Sequence, residues 1–129
     1  NNNGPSGRDF DNMIDSAFSN VTISDVVLKL EDLAKIFKTR DEAVIKKDQL
    51  LFLSTQTGEI AKSGSEGYLK TDKIVSTILH THNDNQDPHL WVVLVQEDYF
   101  FDGNYSHRNY LLYKIVEQNE KMLIAEIVW

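Results

Sequence analysis

The chain has 129 residues, of which 41% are hydrophobic and 26% are charged, and its formal net charge is -7. These values are typical of one soluble globular domain, and the negative charge disfavours nucleic acid and anionic membrane surfaces as partners. Because there is no cysteine, disulfides, thiolate catalysis and cysteine-ligated metals are excluded, and no apolar run reaches the roughly 18 residues that predict membrane insertion.

The first residues differ in composition from the rest of the chain. Asn1–Gly7 is polar and contains glycine and proline, which predicts a disordered tail, a linker or a remnant of cloning. An export signal that has been removed would explain it equally well, so the sequence leaves both a cytoplasmic and an exported location open. We expect residues 8–129 to form a single α+β domain.

Helical periodicity dominates the first third of that domain. Apolar residues recur at helical spacing over Phe10–Val21 and again, more strongly, over Asp25–Lys38. Thr22 is placed to cap the second helix, and Thr39 to cap a short third helix that runs to about Lys47. These segments predict helices that pack on a core.

Strand patterns dominate the rest of the chain. Short apolar or β-branched runs are bounded by turn signals such as Thr57-Gly58 and the loop Asn83–Pro88. Helices followed by a run of antiparallel strands is an α+β pattern. The predicted strands are Leu50–Thr55, Glu59–Ser63, Ile74–His82, Leu90–Phe101, His107–Glu117 and Lys121–Trp129.

The order of these elements resembles a known family. A long amphipathic helix leads into Arg40-Asp41, then into an LLFLS segment and Gly64–Gly67, and the strands at Trp91–Phe101 and Arg108–Ile115 precede a final MLIAEI strand. This order is similar to that of the nuclear transport factor 2-like superfamily, which includes SnoaL-like proteins and ketosteroid isomerase. The resemblance implies a cone-like, cystatin-like roll, in which N-terminal helices pack on a strongly bent antiparallel sheet. It also implies dimers through the outer face of the sheet, and it carries over no catalytic residue.

The last three strands can be put in register from their turns. A turn centred on Gly103-Asn104 pairs Leu94 with Tyr113, and one centred on Asn119-Glu120 pairs Tyr113 with Glu126. Side chains alternate along a strand, so one face becomes apolar with a few polar groups, which is how small-molecule pockets are composed. The predicted ligand-binding residues on this face are Leu94, Gln96, Asp98, Asn109, Leu111, Tyr113 and Glu126, next to Ile115 and Ile124.

Two carboxylates on this face are candidates for catalysis. Burial in an apolar pocket raises the pKa of a carboxyl group, so that it can act as a general acid or base near neutral pH. The catalytic candidates are therefore Glu126, Asp98 and Tyr113. The alternative is that these residues lie at a solvated rim, or that Tyr113 only donates a structural hydrogen bond to Glu126.

The other face of the predicted sheet carries large aromatic residues. An exposed apolar sheet needs a partner, so we expect a homodimer through this face, unless the Phe10–Phe18 helix covers part of it. The predicted interface residues are Trp91, Tyr99, Tyr110 and Trp129.

Three histidines surround the loop before the last strands. His80 and His82 alternate on one face of a predicted strand, and His89 could return opposite them with Asp84 or Asp87. Imidazole and carboxylate ligands suit zinc or a similar ion, whereas the alternative is an ordinary polar hairpin loop.

Three functions therefore stay open. The first is a non-catalytic module with a cone-shaped pocket, which binds a small apolar or mixed-polarity molecule or a protein and needs no cofactor. The second is a SnoaL-like enzyme that uses a pocket carboxylate, and the third is a metal-binding protein that uses the histidine loop. Nothing resembles a nucleophile elbow, a phosphate loop or a zincin helix.

Overall fold

The computed structural model of the protein describes residues 23–58 and 71–128. The chain divides into two compact units, one ending at Asp32 and one that begins at Leu33 and contains the sheet. The elements of the described residues are α1 (Ile23–Lys46), α2 (Gln49–Leu53), β1 (Lys73–Asn83), β2 (Leu90–Phe101), β3 (Asn104–Gln118) and β4 (Lys121–Ile127).

Helix α1 contains the predicted helix Asp25–Lys38 but continues past it to Lys46. The short helix predicted after Thr39 is the last part of α1, because neither glycine nor proline interrupts the chain there. The helix ends where Lys47 adopts a φ of 55°, a left-handed conformation that closes many helices. Asp48 then donates its backbone N–H to the Ala43 carbonyl at 2.9 Å, which turns the chain into α2.

Helix α2 corrects the prediction of a strand at Leu50–Thr55. The Asp48 side chain accepts a hydrogen bond from the backbone N–H of Leu51 at 3.0 Å, so it caps a helix at this point. A short apolar run does not distinguish a strand from a partly buried helix, and the cap decides here. Phe52 is the buried residue of α2 and packs with Ala43 and Val44 of α1.

The sheet has four antiparallel strands in the order β1-β2-β3-β4. The strands predicted at Ile74–His82 and at the end of the chain are confirmed, and the sheet is curled. Helices followed by a curled antiparallel sheet make an α+β fold of the cone type, as predicted. The strand predicted at Glu59–Ser63 and the helix predicted at Phe10–Val21 lie outside the described residues, as do Asn1–Gly7 and Trp129.

The β2–β3 register differs from the prediction by two residues at the turn and by one residue beyond a bulge. The turn is centred on Asp102-Gly103, whose φ values of 51° and 77° favour a two-residue hairpin loop, so Phe101 pairs with Asn104. A bulge between Tyr99 and Phe100 then shifts the pairing by one residue. Leu94 consequently lies opposite Leu112, and the predicted pairings of Leu94 with Tyr113 and of Phe101 with Ser106 are wrong.

This difference reverses the two faces of β2 relative to β3. A one-residue slip moves every side chain of a strand to the other side of the sheet. Leu94, Gln96 and Asp98 therefore lie on the outer face, away from Tyr113. The side chains of β2 on the inner face are Trp91, Val93, Val95, Glu97 and Tyr99.

The β3–β4 register is as predicted on one side of a bulge only. Ile115 pairs with Ile124 as predicted, and the turn has Asn119 and Glu120 at its centre. The bulge between Lys114 and Ile115 then places Tyr113 opposite Ile127. The predicted pairing of Tyr113 with Glu126 is therefore wrong.

The main core lies between the last part of α1 and the inner face of the sheet. Large side chains of the helix and the sheet pack against each other in this core. The buried residues of this core are Leu33, Ile36, Phe37, Trp91, Val93, Val95, Tyr113, Ile115 and Ile124.

Candidate functional site

A buried carboxylate stands on the inner face of β2. Glu97 is 5% exposed, and its two oxygens accept hydrogen bonds from different phenols: Oε1 from the Tyr99 hydroxyl and Oε2 from the Tyr113 hydroxyl. We call Glu97, Tyr99 and Tyr113 the Glu97 cluster. The sequence contained these residues, but the one-residue error in register placed Glu97 on the face opposite Tyr113. Only the position of the bulge could have corrected it.

Both phenols of the cluster are held in their neutral form. Burial raises the pKa of Tyr113 well above its ordinary value, and the Glu97 charge raises it further, against the opposing effect of Arg40. Burial and the Glu97 charge likewise raise the pKa of Tyr99, although a hydrogen bond with Asn109 acts in the other direction. Since a neutral phenol is a donor, both tyrosines can donate to Glu97 at any physiological pH.

Arg40 brings a buried positive charge to the same region. Its guanidinium lies over the Phe52 ring at 4.2 Å, and Nη1 donates to Thr55 Oγ1 at 3.1 Å and to Gln56 Oε1 at 2.7 Å. Arg40 is only 9% exposed. Within the described ranges, 23–58 and 71–128, no carboxylate forms an ion pair with it. The guanidinium is therefore satisfied by neutral groups and an aromatic ring.

The acceptors of Arg40 are fixed to the sheet. The backbone N–H of Thr57 donates to the Ile124 carbonyl at 2.8 Å, and the N–H of Ile124 donates to the Thr55 carbonyl at 2.9 Å. Because arginine can only donate, the Gln56 amide must direct its oxygen at Arg40. Gln56 Nε2 is then buried without a hydrogen-bond partner among the residues that the structure describes.

A groove lies between α1 and β1. Its volume is about 440 Å³, and it is open to solvent. Asp41 stands in it and accepts two hydrogen bonds from Ser76, from the backbone N–H at 2.8 Å and from the hydroxyl at 2.7 Å. The groove is lined by Ala34, Phe37, Lys38, Asp41, Glu42, Ile45, Ser76, Thr77 and Ile78.

The Asp41 carboxyl group has a perturbed acidity. Burial raises its pKa from 3.8 to about 6, and the Glu97 charge raises it as well, while the two Ser76 hydrogen bonds and the Arg40 charge lower it. A carboxyl group with a pKa near 6 exchanges its proton close to neutral pH, which is the property that general acids and bases need. Apart from its place after Arg40, nothing in the sequence pattern marks Asp41 as a functional residue.

The predicted pocket residues divide between the two faces of the sheet. Asn109, Leu111 and Tyr113 share the inner face with Glu97. Leu94, Gln96 and Asp98 lie on the outer face, so the prediction that they join Tyr113 in one pocket is wrong. A part for Asn109 and Leu111 in ligand binding stays a prediction.

The two predicted catalytic carboxylates are also on the outer face. Asp98 forms an ion pair with Arg108, with Nε to Oδ1 at 2.7 Å, and this contact lowers the pKa of Asp98. Glu126 is exposed and lies opposite Lys114, with Nζ to Oε1 at 3.8 Å. Neither stands beside Tyr113, and a pKa lowered by an arginine is the reverse of the raised pKa that was expected for Asp98.

The histidine loop has a structural arrangement of its own. Asp84 accepts backbone hydrogen bonds from Gln86 at 2.7 Å and from Asp87 at 3.0 Å, and Asp87 accepts one from His89 at 3.0 Å. Among the residues that the structure describes, no three His, Asp or Glu side chains come together to hold a metal. His80, His82 and His89 are thus not brought together, and the polar-loop alternative accounts for the carboxylates.

The predicted dimer residues do not form one surface. Trp91 is buried in the core, and Tyr99 belongs to the Glu97 cluster on the inner face. Tyr110 lies on the outer face and is 48% exposed. Trp129 lies outside the described residues.

Comparison with known proteins shows what this arrangement is similar to. No protein-family model matches the sequence, and a search of curated proteins finds no match. A designed NTF2 protein superposes with a TM-score of 0.62 at 18% identity, over 77% of this chain and 96% of that chain. An NTF2-like protein of unknown function from Shewanella oneidensis superposes with a TM-score of 0.60 at 10% identity, over 76% and 99% of the two chains.

A third structure agrees with these two. It is a protein of unknown function with a cystatin-like fold from Nostoc punctiforme, which superposes with a TM-score of 0.58 at 11% identity, over 81% of this chain and 88% of that chain. The chain has an NTF2-like fold. At these identities the likeness shows the NTF2-like fold alone. None of the described helices is long and apolar enough to cross a membrane.

Proposed function

We propose that this NTF2-like domain is a binding module for a small molecule, and that the ligand lies in the groove between α1 and β1. The observation that carries the proposal is the composition of this groove: Phe37, Ile45 and Ile78 supply apolar surface, and Asp41 supplies one polar group of perturbed acidity. An apolar cleft with a few convergent polar groups is the usual form of a ligand site.

The state of the Glu97 cluster supports binding rather than catalysis at the buried carboxylate. Both oxygens of Glu97 already accept hydrogen bonds from neutral phenols. Glu97 is only 5% exposed and does not line the groove, so a ligand in the groove has no direct contact with it. The cluster therefore serves to hold β2 and β3 in place beneath the groove.

Two variants of α1 test the site. Ala34 is exposed and lines the groove, whereas its neighbour Lys35 is also exposed but does not line it. Ala34→Phe should fill part of the groove and weaken every groove ligand, and Lys35→Phe is the matched control. Fragment screening by NMR on the wild-type chain would identify ligands. Fragments that bind Ala34→Phe and Lys35→Phe equally well would reject the groove as the site.

A second candidate function is acid-base catalysis by Asp41. The specific observation in its favour is the pKa of about 6. This is the runner-up because it rests on the acidity of Asp41 alone, and the Ser76 hydroxyl beside it is engaged in a hydrogen bond to the carboxylate. A carbon-13 NMR titration of the Asp41 carboxyl carbon tests the premise. A midpoint near the ordinary 3.8 would remove this candidate.

We also propose that two copies pair through the outer face of the sheet. The supporting observation is apolar exposure on this face, where Val75 is 38% and Tyr110 is 48% exposed. Light scattering coupled to gel filtration should give about twice the monomer mass of 14.8 kDa. Tyr110→Lys should shift the protein to monomer, and Leu50→Lys, an exposed site on α2, should not. A monomer at every micromolar concentration would refute the pairing.

A further inference from the structure

We propose that the groove selects an organic cation, in the form of a primary ammonium group attached to a small apolar body. This inference rests on the proposed function, because it names the chemical class of the ligand that the groove binds. It is carried by the position of Asp41 and by the balance of charge along the groove.

Asp41 is a carboxylate with free acceptor capacity, and it forms no ion pair with the described residues. An ionised carboxylate has about four lone-pair sites, and the two Ser76 hydrogen bonds use only two of them. In the part of the chain that the structure describes, no basic side chain forms an ion pair with Asp41. The neighbouring Arg40 is engaged instead with Thr55 and Gln56. A ligand ammonium group could therefore supply the missing positive charge.

The other charged residues that line the groove do not balance the charge of Asp41. Lys38 and Glu42 both line the groove, and their spacing of four residues places them on the same side of α1. Because their opposite charges sum to zero, the net charge of the groove lining is that of Asp41. The net charge of -7 also favours the approach of a cation over that of an anion.

The apolar residues set the second requirement for the ligand. Phe37 and Ala34 on α1 and Ile78 on β1 line the groove. A methyl or phenyl group gains free energy when it is buried against such surface. A bare inorganic cation would leave these walls exposed, so an amine with an aromatic or alkyl substituent fits better.

Binding of a cation should be linked to the proton on Asp41. The charged groups around it are Glu97 from β2, and Arg40, Lys38 and Glu42 from α1 itself. An ammonium group of lysine type keeps its charge throughout the neutral and mildly acidic range, so only the protein site titrates there. Since the pKa of Asp41 is about 6, the ionised fraction falls about tenfold between pH 7 and pH 5, and cation affinity should fall with it.

Three phenyl compounds of similar size test the class of ligand. Benzylamine, benzyl alcohol and benzoate are titrated into the nitrogen-15-labelled full chain at neutral pH, and affinity is read from chemical-shift changes along α1 and β1. We expect the ammonium probe to bind about tenfold more tightly than the alcohol, because a charge-assisted hydrogen bond is stronger than a neutral one, and benzoate to bind least. Asp41→Asn should abolish this preference, whereas Glu120→Gln, which neutralises an exposed acid of the β3–β4 turn that does not line the groove, should change it by less than about threefold.

The outcomes separate this inference from the proposed function. If benzyl alcohol and benzylamine bind equally, or if Asp41→Asn keeps the preference, the cation class is wrong while the groove remains a site. If cation affinity stays constant between pH 7 and pH 5, Asp41 is not the recognising group. If none of the probes binds, or if Ala34→Phe does not weaken binding compared with Lys35→Phe, the proposed function itself fails.

Discussion

Replacing Asp41 with asparagine should make the protein more stable at neutral pH. The asparagine keeps the shape of the side chain, and it can keep both contacts with Ser76: its oxygen accepts from the backbone N–H, and its amide donates to the hydroxyl, which can rotate. What the substitution removes is the cost of holding a charge in a partly buried position beside Glu97. A stabilising substitution at a polar contact is typical of a functional site.

The size of the expected change in stability follows from the shift in the pKa of Asp41. A change in pKa from 3.8 in the unfolded chain to about 6 in the folded one corresponds to roughly 3 kcal/mol. Water reaches the groove side of the carboxylate and screens part of this energy, so we expect Asp41→Asn to raise the free energy of unfolding by about 1–3 kcal/mol at pH 7.5.

The sign of the pH dependence gives a second test. A group whose pKa is raised on folding favours the folded state in its protonated form, so its contribution is most favourable below pH 3.8 and is lost as the pH rises through about 6. The advantage of Asp41→Asn over the wild type should therefore be largest above pH 6 and vanish near pH 4. Urea denaturation of both proteins at several pH values, followed by circular dichroism, measures this difference.

Two results would refute the reasoning. If the two proteins have the same stability at pH 7.5 and pH 4, the carboxylate is not destabilised in the folded state. If the variant is less stable at every pH, the Ser76 hydrogen bonds to the charge outweigh the cost of burial. Glu42→Gln, which neutralises an exposed acid one residue away, is the control for the general effect of removing a negative charge.

Two further predictions concern the sheet. Tyr113→Phe leaves one oxygen of the buried Glu97 without its donor and should lower the free energy of unfolding by about 1.5–3 kcal/mol, whereas Tyr110→Phe on the outer face should change it by less than about 0.5 kcal/mol. If Tyr113→Phe and Tyr110→Phe have equal stability in urea, the hydrogen bond from Tyr113 to Glu97 does not stabilise the fold. Gly103→Ala places a side chain at a φ of 77° in the β2–β3 turn and should cost about 1 kcal/mol. Thermal unfolding checks this, and an unchanged midpoint would show that the turn tolerates the residue.

The sequence predicted the elements of this fold better than their register. The period of apolar residues is a local signal, so it located α1, β1 and the three last strands. A bulge is set by packing and by turn geometry, and nothing in the letters around Tyr99 or Lys114 marks one. Each bulge shifted a register by one residue, and this was enough to place Glu126 and Asp98 beside Tyr113 when they lie on the other face.

The candidate site was missed for a related reason. The short helix predicted after Thr39 would place Asp41 in its first turn, where a negative charge is favourable and commonplace. Since α1 continues through this position, Asp41 lies inside a helix instead and faces Ser76 of β1, 35 residues further along the chain. Contacts between residues so far apart follow from the packing of the helix on the sheet, which periodicity alone does not determine.

The two inner carboxylates differ in what they are able to do. Glu97 accepts hydrogen bonds from Tyr99 and Tyr113 and is 5% exposed, so a ligand has no direct access to it. Asp41 lies at the groove and keeps unused acceptor sites, and the Glu97 charge contributes to its raised pKa. The charge of the enclosed Glu97 therefore helps to set the pKa of the accessible Asp41. A neutral residue at position 97 should lower the pKa of Asp41 toward its ordinary value. Any response of this domain to a cation or to a proton near neutral pH should consequently begin at Asp41.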